Sequence, residues 1–266
     1  MTKVGLIAGS GQLPLLFARA AKDQGLSVHV VAMQGEADAS LAAHVASLSW
    51  VKVGQVQAAV KIFREQGVTQ AVMAGGVRRI KSLANVRPDL GMFQIAARLR
   101  SLRDDELLRG IAGFFERNGV QIVAPTDYVK SVLAEPGHLA GPPLTKEQQR
   151  DVELGREVAA VVGRADVGQT VVVKGGVVLA VEAIEGTDEC IRRAGRFGGP
   201  GAVVVKRCKP QQDLRFDLPA VGPVTLEVMR EAGAKVLALE AGKTIVLDAG
   251  VLFSDAATLG LSVVGL

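Results

Sequence analysis

The chain has 266 residues, with 31 basic and 27 acidic side chains and a formal net charge of +4. The length suffices for one large domain or two ordinary ones, and abundant aliphatic residues with a single Trp and a single Tyr are typical of α/β proteins with buried parallel strands. The basic residues are scattered, which argues against a nucleic-acid-binding protein. Cys190 and Cys208 lie far apart and the histidines are isolated, so we expect neither a disulfide framework nor a zinc site. Free cysteines of this kind indicate a protein of a reducing compartment.

The N-terminus, MTKVGLIAGSGQLP, contains only a short apolar run broken by glycines. Such a run does not predict a signal peptide. No stretch of about 18 apolar residues occurs, so the sequence predicts no transmembrane helix. We expect a soluble, cytoplasmic protein that can still contact a membrane surface.

The first half of the chain alternates strand-like and helix-like patterns. Alternation of this kind indicates a parallel sheet with right-handed crossovers, so we expect a Rossmann-like N-terminal domain over residues 1–133. The predicted strands are Lys3–Ala8, Ser27–Ala32, Gln70–Met73 and Gln121–Ala124, and the predicted helices are Leu13–Gln24, Val56–Gln66 (closed by Gly67), Met92–Leu102 and Glu106–Asn118.

A segment rich in Pro and Gly, AEPGHLAGPP over residues 134–143, has no apolar periodicity and is the predicted linker. The second half, residues 144–266, is predicted to be a distinct α+β domain with hairpins, opening on a helix that Thr145 and Gln148 begin with a capping box. Its other predicted elements are the hairpin strands Thr170–Lys174 and Val177–Ala183 around Gly175-Gly176, a helix at Asp188–Ala194, a strand at Ala202–Lys206, a helix at Val224–Ala232, and the strands Val236–Leu239 and Thr244–Leu247 joined by Gly242-Lys243.

The loop Gly9-Ser10-Gly11 joins the first strand to the first helix, which Gln12 and Leu13 open. Backbone N–H groups at such a turn favour anions. The loop resembles a dinucleotide fingerprint, but Pro14 occupies the third glycine position and no acidic residue ends the second strand, so we expect no NAD site and no oxidoreductase. Two interpretations stay open: a nucleotide or sugar-phosphate site, and a turn that only lets the helix pack on the sheet.

Two further polar loops follow predicted strands. Gly75-Gly76 allows close backbone approach, and Arg78 or Arg79 can meet a phosphate. Thr126-Asp127-Tyr128 follows a later strand, where Tyr128 is either half-buried or stacked on a base. Ligands of open α/β sheets bind outside the carboxyl ends of strands, so three such loops on one edge together predict a substrate site, although each alone is compatible with plain turn chemistry.

The segment Lys206–Thr225, KRCKPQQDLRFDLPAVGPVT, alternates apolar and charged residues. Its apolar positions are Leu214, Phe216 and Leu218, and its charged positions are Asp213, Arg215 and Asp217. In an extended strand the charges would share one face. Carboxylates there suit a divalent cation, and Arg215, Lys206 and Lys209 suit phosphates. The alternative is an edge strand whose charges face water, but the run ends in loop formers, which favours function.

A second acidic group opens a predicted helix. Thr187 or Asp188 is expected to be an ordinary N-cap, and Glu185 with Asp188 exceeds what a cap requires. We regard these carboxylates as candidates to join Asp213 and Asp217 around a metal ion.

The motifs GSGQLP, AGGVRR, APTDY, VEAIEGTDECIRRAG and VKRCKPQQDLRFDLPAVGPVT occur in this order. Together they resemble the LpxI-type UDP-2,3-diacylglucosamine pyrophosphatases of lipid A biosynthesis over essentially the whole chain. The resemblance implies Mg²⁺-dependent hydrolysis (with Mn²⁺ as an alternative) to UMP and 2,3-diacylglucosamine 1-phosphate, lipid X. It also implies a lipid held between a Rossmann-like and a C-terminal catalytic domain, and a homodimer at the cytoplasmic side of the inner membrane. Asp217 is then the acid most needed for turnover.

This chemistry needs neutralised phosphate oxygens and an oriented water. We interpret Asp217 as a metal ligand rather than a free general base, with Asp213, Arg215 and Lys206 completing the catalytic group. The alternative is a nucleotide-sugar sensor, which would gain nothing from carboxylates beside phosphate unless a cation intervened. The substrate-binding candidates are Gly9, Ser10, Gly11, Gln12, Leu13, Gly75, Gly76, Arg78, Thr126, Asp127, Tyr128, Thr187 and Lys209.

Overall fold

The computed structural model describes residues 1–77, 87–99, 104–216 and 218–266. Within it the chain forms two compact units. The N-terminal unit comprises Met1–Lys130 together with Asp213–Phe216, and the C-terminal unit comprises Ser131–Gln212 and Asp217–Leu266. No helix among the described residues is both long and apolar enough to cross a membrane.

The N-terminal unit contains a five-stranded sheet in which every pairing is parallel. The strand order β3-β2-β1-β4-β5, with crossover helices, confirms the predicted Rossmann-like sheet. The strands are β1 (Lys3–Ala8), β2 (Ser27–Met33), β3 (Ser47–Val51), β4 (Gln70–Ala74) and β5 (Gln121–Val123), and the helices are α1 (Leu13–Asp23), α2 (Val56–Glu65), α3 (Leu90–Ala96), α4 (Asp104–Arg117) and the single turn α5 (Pro125–Tyr128).

Helical periodicity explains how these helices pack on the sheet. In α2 the buried residues Val56, Ala59, Val60 and Phe63 recur at the spacing of one helix face. Gly67 follows that helix with φ 69°, a left-handed conformation that glycine adopts at low cost, and so ends it as predicted.

The C-terminal unit is built on a six-stranded mixed sheet with the order β6-β13-β11-β9-β7-β8, which confirms a distinct α+β domain. Its middle strands are parallel, whereas β7 pairs in antiparallel fashion with β8 and β9, and β6 with β13. The strands are β6 (Gly137–Ala140), β7 (Thr170–Lys174), β8 (Val177–Val181), β9 (Val203–Lys206), β10 (Ala220–Val221), β11 (Val236–Leu239), β12 (Ile245–Val246) and β13 (Ser262–Gly265), and the helices are α6 (Lys146–Arg164), α7 (Thr187–Gly198), α8 (Pro223–Ala232) and α9 (Ala249–Thr258).

The hairpin β7–β8 around Gly175-Gly176 is confirmed, but the second predicted hairpin is wrong. Strand β11 pairs in parallel with β9 and β13, and β12 pairs with β10 in a small separate sheet. The capping box of Thr145 and Gln148 is confirmed. The strands β3, β6, β10 and β13, the single turn α5 and the helix α9 were not predicted; β6 lies inside the predicted linker 134–143.

The extended conformation expected around Arg215 is wrong. Asp213–Phe216 ends in a turn, in which the Phe216 N–H donates to the Asp213 carbonyl at 3.2 Å. The Phe216 ring packs against the core of the N-terminal unit, so this segment joins that unit although it comes from the second half of the sequence.

Candidate functional site

The glycine loops of the N-terminal unit meet at the carboxyl edge of its sheet, after the neighbouring strands β1 and β4. The Ser10 N–H donates to the Gly76 carbonyl at 2.7 Å, the Gly76 N–H donates to the Ser10 carbonyl at 3.0 Å, and the Ser10 hydroxyl also donates to Gly76. A Cβ on Gly9 would lie 2.4 Å from the Gly76 oxygen, and one on Gly75 would lie 2.4 Å from the Ser10 oxygen. Gly9 and Gly75 are therefore required by the approach of the two loops.

The start of helix α1 remains open on this edge. Gly11 has φ 93° and faces open space, and Gln12, the N-cap, makes no side-chain capping bond. The exposed Gly11 and Gln12 thus lead into the first turn of an eleven-residue helix, where Pro14 has no N–H and the N–H groups of Leu13 and Leu15 lack intrahelical acceptors. An anionic group can be accommodated there.

The third loop carries Thr126, Asp127 and Tyr128 on α5, after the adjacent strand β5. The Asp127 carboxylate accepts from the Ala124 N–H at 3.3 Å, and the Tyr128 hydroxyl donates to Gln70 Oε1 at 2.6 Å. The Tyr128 ring is half-buried and meets Phe17 edge-on, and burial raises the pKa of its phenol. Tyr128 is thus half-buried, as one of its two interpretations has it, and stacking on a base stays a prediction.

Arg215 is the centre of a charge cluster in the N-terminal unit. Its Nε and Nη2 donate to the two oxygens of Asp213 at 2.9 and 2.8 Å, and its Nη1 donates to Glu116 at 2.9 Å. Arg109 on α4 lies 3.9 Å from Asp213, and Phe216 lies under the Arg215 guanidinium at 5.4 Å. The hydrogen bonds from Arg215 lower the pKa of Asp213 against the opposing effect of burial. Predicted candidates Asp213 and Arg215 therefore do come together, as a bidentate ion pair.

Lys206 lies in a buried polar network of the C-terminal unit. Its side chain is 5% exposed, and its Nζ donates to Thr187 Oγ1 at 3.0 Å and to the Ala220 carbonyl at 2.9 Å. Glu182, 7% exposed, and the fully buried Thr170 complete the network around the Thr187 hydroxyl. Strand register creates this arrangement, because Thr170 on β7 is the direct partner of Lys206 on β9.

The Thr187 hydroxyl links these groups in a defined direction. It accepts from Lys206 and donates to Glu182 Oε1 at 3.2 Å, so the 3.4 Å contact with Thr170 has Thr170 as donor. The other oxygen, Glu182 Oε2, has no hydrogen-bond partner among the described residues although it is buried. The network thus retains one open acceptor.

Thr187 is the first residue of α7, and the N-cap is Gly186 with φ 83°, so the N-cap prediction for Thr187 or Asp188 is wrong. Asp188 lies in the first helical turn, partly exposed. Glu185 forms an ion pair with Arg193, and hydrogen bonds from its own backbone N–H and from Arg193 lower the pKa of its carboxyl. Lys209 pairs with Asp166 at 2.7 Å.

Asp217, Arg78 and Arg79 lie outside the described residues, as does the end of the predicted helix Met92–Leu102. Within the residues that are described, no group of three or more His, Cys, Asp and Glu side chains is arranged to hold a metal ion. Asp213 and Glu185, two of the candidate ligands, have their carboxylates bound by arginines. By themselves these described side chains do not fit a divalent-cation site.

Several groups of these clusters were not predicted: Glu182, Thr170, Glu116 and Arg109. Glu182 opens the motif EAIEGTD, whose cluster of acids is the one sequence signal that pointed to it. Thr170 is an ordinary strand residue, and Glu116 and Arg109 are ordinary helix residues, so no local pattern separates them from other positions. Cys190, predicted to be a buried hydrophobe, is fully buried, and burial raises the pKa of its thiol to about 12.

Comparison with known proteins gives matches along the whole chain. The family model of the LpxI N-terminal domain matches residues 3–132, and that of the LpxI C-terminal domain matches residues 135–264. The UDP-2,3-diacylglucosamine pyrophosphatase LpxI of Caulobacter vibrioides is 33% identical over 275 aligned positions, which cover 100% of this chain and 98% of that protein.

Solved structures resemble the chain only distantly. The biotin carboxylase domain of a thermophilic 2-oxoglutarate carboxylase, bound to ADP, is 16% identical with a TM-score of 0.29, over 75% of this chain and 34% of that one. The biotin carboxylase subunit of a pyruvate carboxylase is 15% identical with a TM-score of 0.27, over 65% and 35%. The chain spans about a third of the length of each of those proteins. The two domain matches and the full-length relative suffice to show that this chain belongs to the LpxI family.

Proposed function

We propose that this protein hydrolyses the pyrophosphate bond of UDP-2,3-diacylglucosamine in lipid A biosynthesis. Water adds to one phosphorus, the bridging P–O bond breaks, and the products are UMP and 2,3-diacylglucosamine 1-phosphate. The observation that carries this proposal is the relative of that activity, which is 33% identical across the full length of the chain. The two domain matches support it independently.

Features of the N-terminal unit support a phosphate-bearing ligand. The uncapped start of α1 and the exposed Gly11 and Gln12 offer N–H donors at the carboxyl edge of a parallel sheet, where open α/β sheets bind ligands. We assign the nucleotide part of the substrate to this edge, with Gly9–Leu13, Gly75-Gly76 and Thr126–Tyr128 around it.

Arg215 and Lys206 are the cations proposed to act on the phosphates. Arg215 is held in a fixed orientation by Asp213 and Glu116, so its guanidinium is pre-organised and little entropy is lost on binding. Lys206 is held by Thr187 and Ala220. In this proposal Asp213 acts by positioning Arg215, and Thr187 by positioning Lys206, rather than by contacting substrate.

Mg²⁺ or Mn²⁺ remains a prediction of the family resemblance. Because arginines bind Asp213 and Glu185, we keep Asp217 and Asp188 as the candidate ligands and derive no step through the metal. A homodimer and peripheral contact with the inner face of the inner membrane also stay proposals. The substrate's acyl chains are the reason to expect the membrane contact.

The test is an assay of UMP release from UDP-2,3-diacylglucosamine in detergent micelles. Wild type is compared with Asp217→Ala and with Asp255→Ala, a control that removes an exposed acid on α9. We expect UMP and lipid X from wild type and Asp255→Ala, loss of at least about a hundredfold in Asp217→Ala, and loss on EDTA treatment that Mg²⁺ restores. Tight binding of the lipid by wild type with no UMP release would contradict the hydrolase proposal and favour a nucleotide-sugar sensor.

A further inference from the structure

Helix α3 in the N-terminal unit exposes an apolar face. Its sequence, LGMFQIA, is apolar on nearly every side. Gly91 and Ile95 are buried on the inner face, whereas Leu90 is 70% exposed and Phe93 is 61% exposed on the outer face. A helix that is apolar all round is ordinarily buried on all sides, so an outer face of Leu and Phe indicates a docking surface.

This helix is fixed firmly to the unit that carries it. The Asp89 carboxylate accepts from the N–H of Met92 at 3.1 Å, and its other oxygen accepts from the N–H groups of Gln57 and Ala58 at 2.8 and 3.1 Å. One side chain thus caps both α2 and α3. A Cβ on Gly91 would lie 2.7 Å from the Phe114 ring, so the inner face is in close contact. Leu90 and Phe93 are therefore presented on a pre-organised surface.

The helix begins at the edge of the sheet to which we assign the nucleotide part of the substrate. The Arg87 N–H donates to the Val53 carbonyl at 2.9 Å, and the Asp89 N–H donates to the Gly54 carbonyl at 3.2 Å. Val53 and Gly54 follow β3, and parallel strands share one carboxyl edge. The apolar face therefore lies on the same edge as the glycine loops.

Positive charges lie at both ends of this face. Arg87 precedes the helix and Arg98 follows it, and both are exposed. The acid between them, Asp89, has its oxygens turned to backbone N–H groups instead. Exposed Leu and Phe with flanking Arg are the composition of helices that lie in the interface of an anionic membrane.

We propose that the surface formed by Arg87, Leu90, Phe93 and Arg98, the α3 surface, docks on an anionic bilayer. The proposal rests on the proposed function to the extent that a diacylated substrate resides in a membrane. Leu90 and Phe93 enter the boundary of the acyl chains, and the two arginines contact lipid phosphates. Docking in this orientation turns the carboxyl edge of the N-terminal sheet towards the lipid that it acts on.

The test is flotation with vesicles of phosphatidylcholine alone or with phosphatidylglycerol. Wild type is compared with Leu90→Ser/Phe93→Ser, with Arg87→Gln/Arg98→Gln, and with the control Val161→Ser/Val251→Ser, which alters apolar positions that are 57% and 54% exposed on other helices. We expect the first variant to lose at least about tenfold in partitioning. The arginine variant should lose the preference for anionic vesicles and its dependence on salt. The control should bind as wild type does.

Other occupants of the surface give different results. No vesicle binding by wild type, or equal loss in the control, overturns the proposal. A fall in oligomeric mass for Leu90→Ser/Phe93→Ser, with vesicle binding intact, assigns the face to a second copy of the chain. Intact vesicle binding with reduced kcat/KM on detergent-solubilised substrate assigns it to the acyl chains of one substrate molecule. The vesicle assay does not depend on hydrolysis. If the protein binds vesicles through Leu90 and Phe93 but releases no UMP, the proposed function is wrong and the proposed membrane docking still holds.

Discussion

The Thr187 hydroxyl is the shared partner of the buried network around Lys206, so its removal is the most direct test of that network. In Thr187→Val the side chain keeps nearly the same shape but loses the oxygen that accepts from Lys206 and donates to Glu182. Lys206 is 5% exposed and Glu182 is 7% exposed, so water has little access to replace that oxygen. Glu182 would then lack a partner on either oxygen, since Oε2 already has none among the described residues.

The magnitude follows from two charged groups that each lose one hydrogen bond while buried. Each such loss costs about 1.5–3 kcal/mol, so we expect Thr187→Val to lower the free energy of unfolding by about 3–6 kcal/mol. That is a large part of the 5 to 15 kcal/mol or so that stabilises an ordinary domain. Thr187→Ser keeps the hydroxyl and removes one methyl group, which should cost about 1 kcal/mol or less.

The assay must resolve the C-terminal unit. The single Trp and the single Tyr of the chain, Trp50 and Tyr128, both lie in the N-terminal unit, so intrinsic fluorescence reports on that unit. Pulsed hydrogen exchange with mass spectrometry at increasing urea gives midpoints for peptides from α7 and β9. We expect those midpoints to fall in Thr187→Val and to stay near wild type in Thr187→Ser.

A direct role of Thr187 in substrate binding makes the opposite prediction. If the hydroxyl contacts substrate and does not stabilise the fold, Thr187→Val should raise KM and leave the urea midpoints of the α7 and β9 peptides unchanged. Equal midpoints for Thr187→Val and Thr187→Ser would therefore refute the inference that Thr187 positions Lys206.

Three further predictions concern the N-terminal unit. Arg215→Lys cannot reproduce the two hydrogen bonds to Asp213 together with the bond to Glu116, so we expect kcat/KM to fall at least about tenfold. Glu116→Gln should lower kcat/KM less than about threefold. Equal effects of the two substitutions would contradict the role of the paired bonds to Asp213. Gly75→Ala puts a Cβ 2.4 Å from the Ser10 oxygen at φ 84° and should cost at least about 2 kcal/mol by Trp50-monitored urea unfolding, whereas Gly76→Ala, 3.6 Å from the nearest atom, should cost under about 1 kcal/mol. Arg215 lowers the pKa of Asp213 in the folded state, so the ion pair stabilises the protein above about pH 4 and this stabilisation is lost as the pH falls through the lowered pKa. Asp213→Asn should therefore lose less unfolding free energy than wild type on acidification. Parallel plots of unfolding free energy against pH for the two proteins would contradict this.

The elements that sequence predicted well are those whose burial leaves a strong local pattern. Strand β1 is apolar after Lys3, β2 ends in the apolar run VVAM, and α2 carries an unbroken helical stripe, so these local patterns placed them. Strand β3, SLSWV, lies at the edge of its sheet and alternates Ser with apolar residues. Strand β6, at the edge of the other sheet, lies among Pro and Gly. Edge strands are half-buried and short, so their pattern is too weak to distinguish from a loop.

The candidate site was predictable only where its residues directly follow strands of the parallel sheet. Gly9–Gln12 and Gly75-Gly76 follow strands, so the parallel sheet dictates that they meet at one edge. The network of Lys206, Thr187 and Glu182 depends on how β7 pairs with β9 and on the bond from Glu182 to Thr170, which no local pattern reveals. Register is a property of the folded sheet, and a shift of one residue would turn Lys206 to the opposite face.

The failure of the alternating pattern near Arg215 has a physical cause. A period of two indicates a strand only if the segment is one continuous element, whereas here Lys206 and Lys209 belong to the C-terminal unit and Asp213–Phe216 to the N-terminal unit. In the turn, Phe216 is apolar because it packs on the N-terminal core, and Asp213 and Arg215 are charged because they pair with each other. At these three positions the alternation thus arises from one packing contact and one ion pair, which give the same sequence pattern as an amphipathic strand.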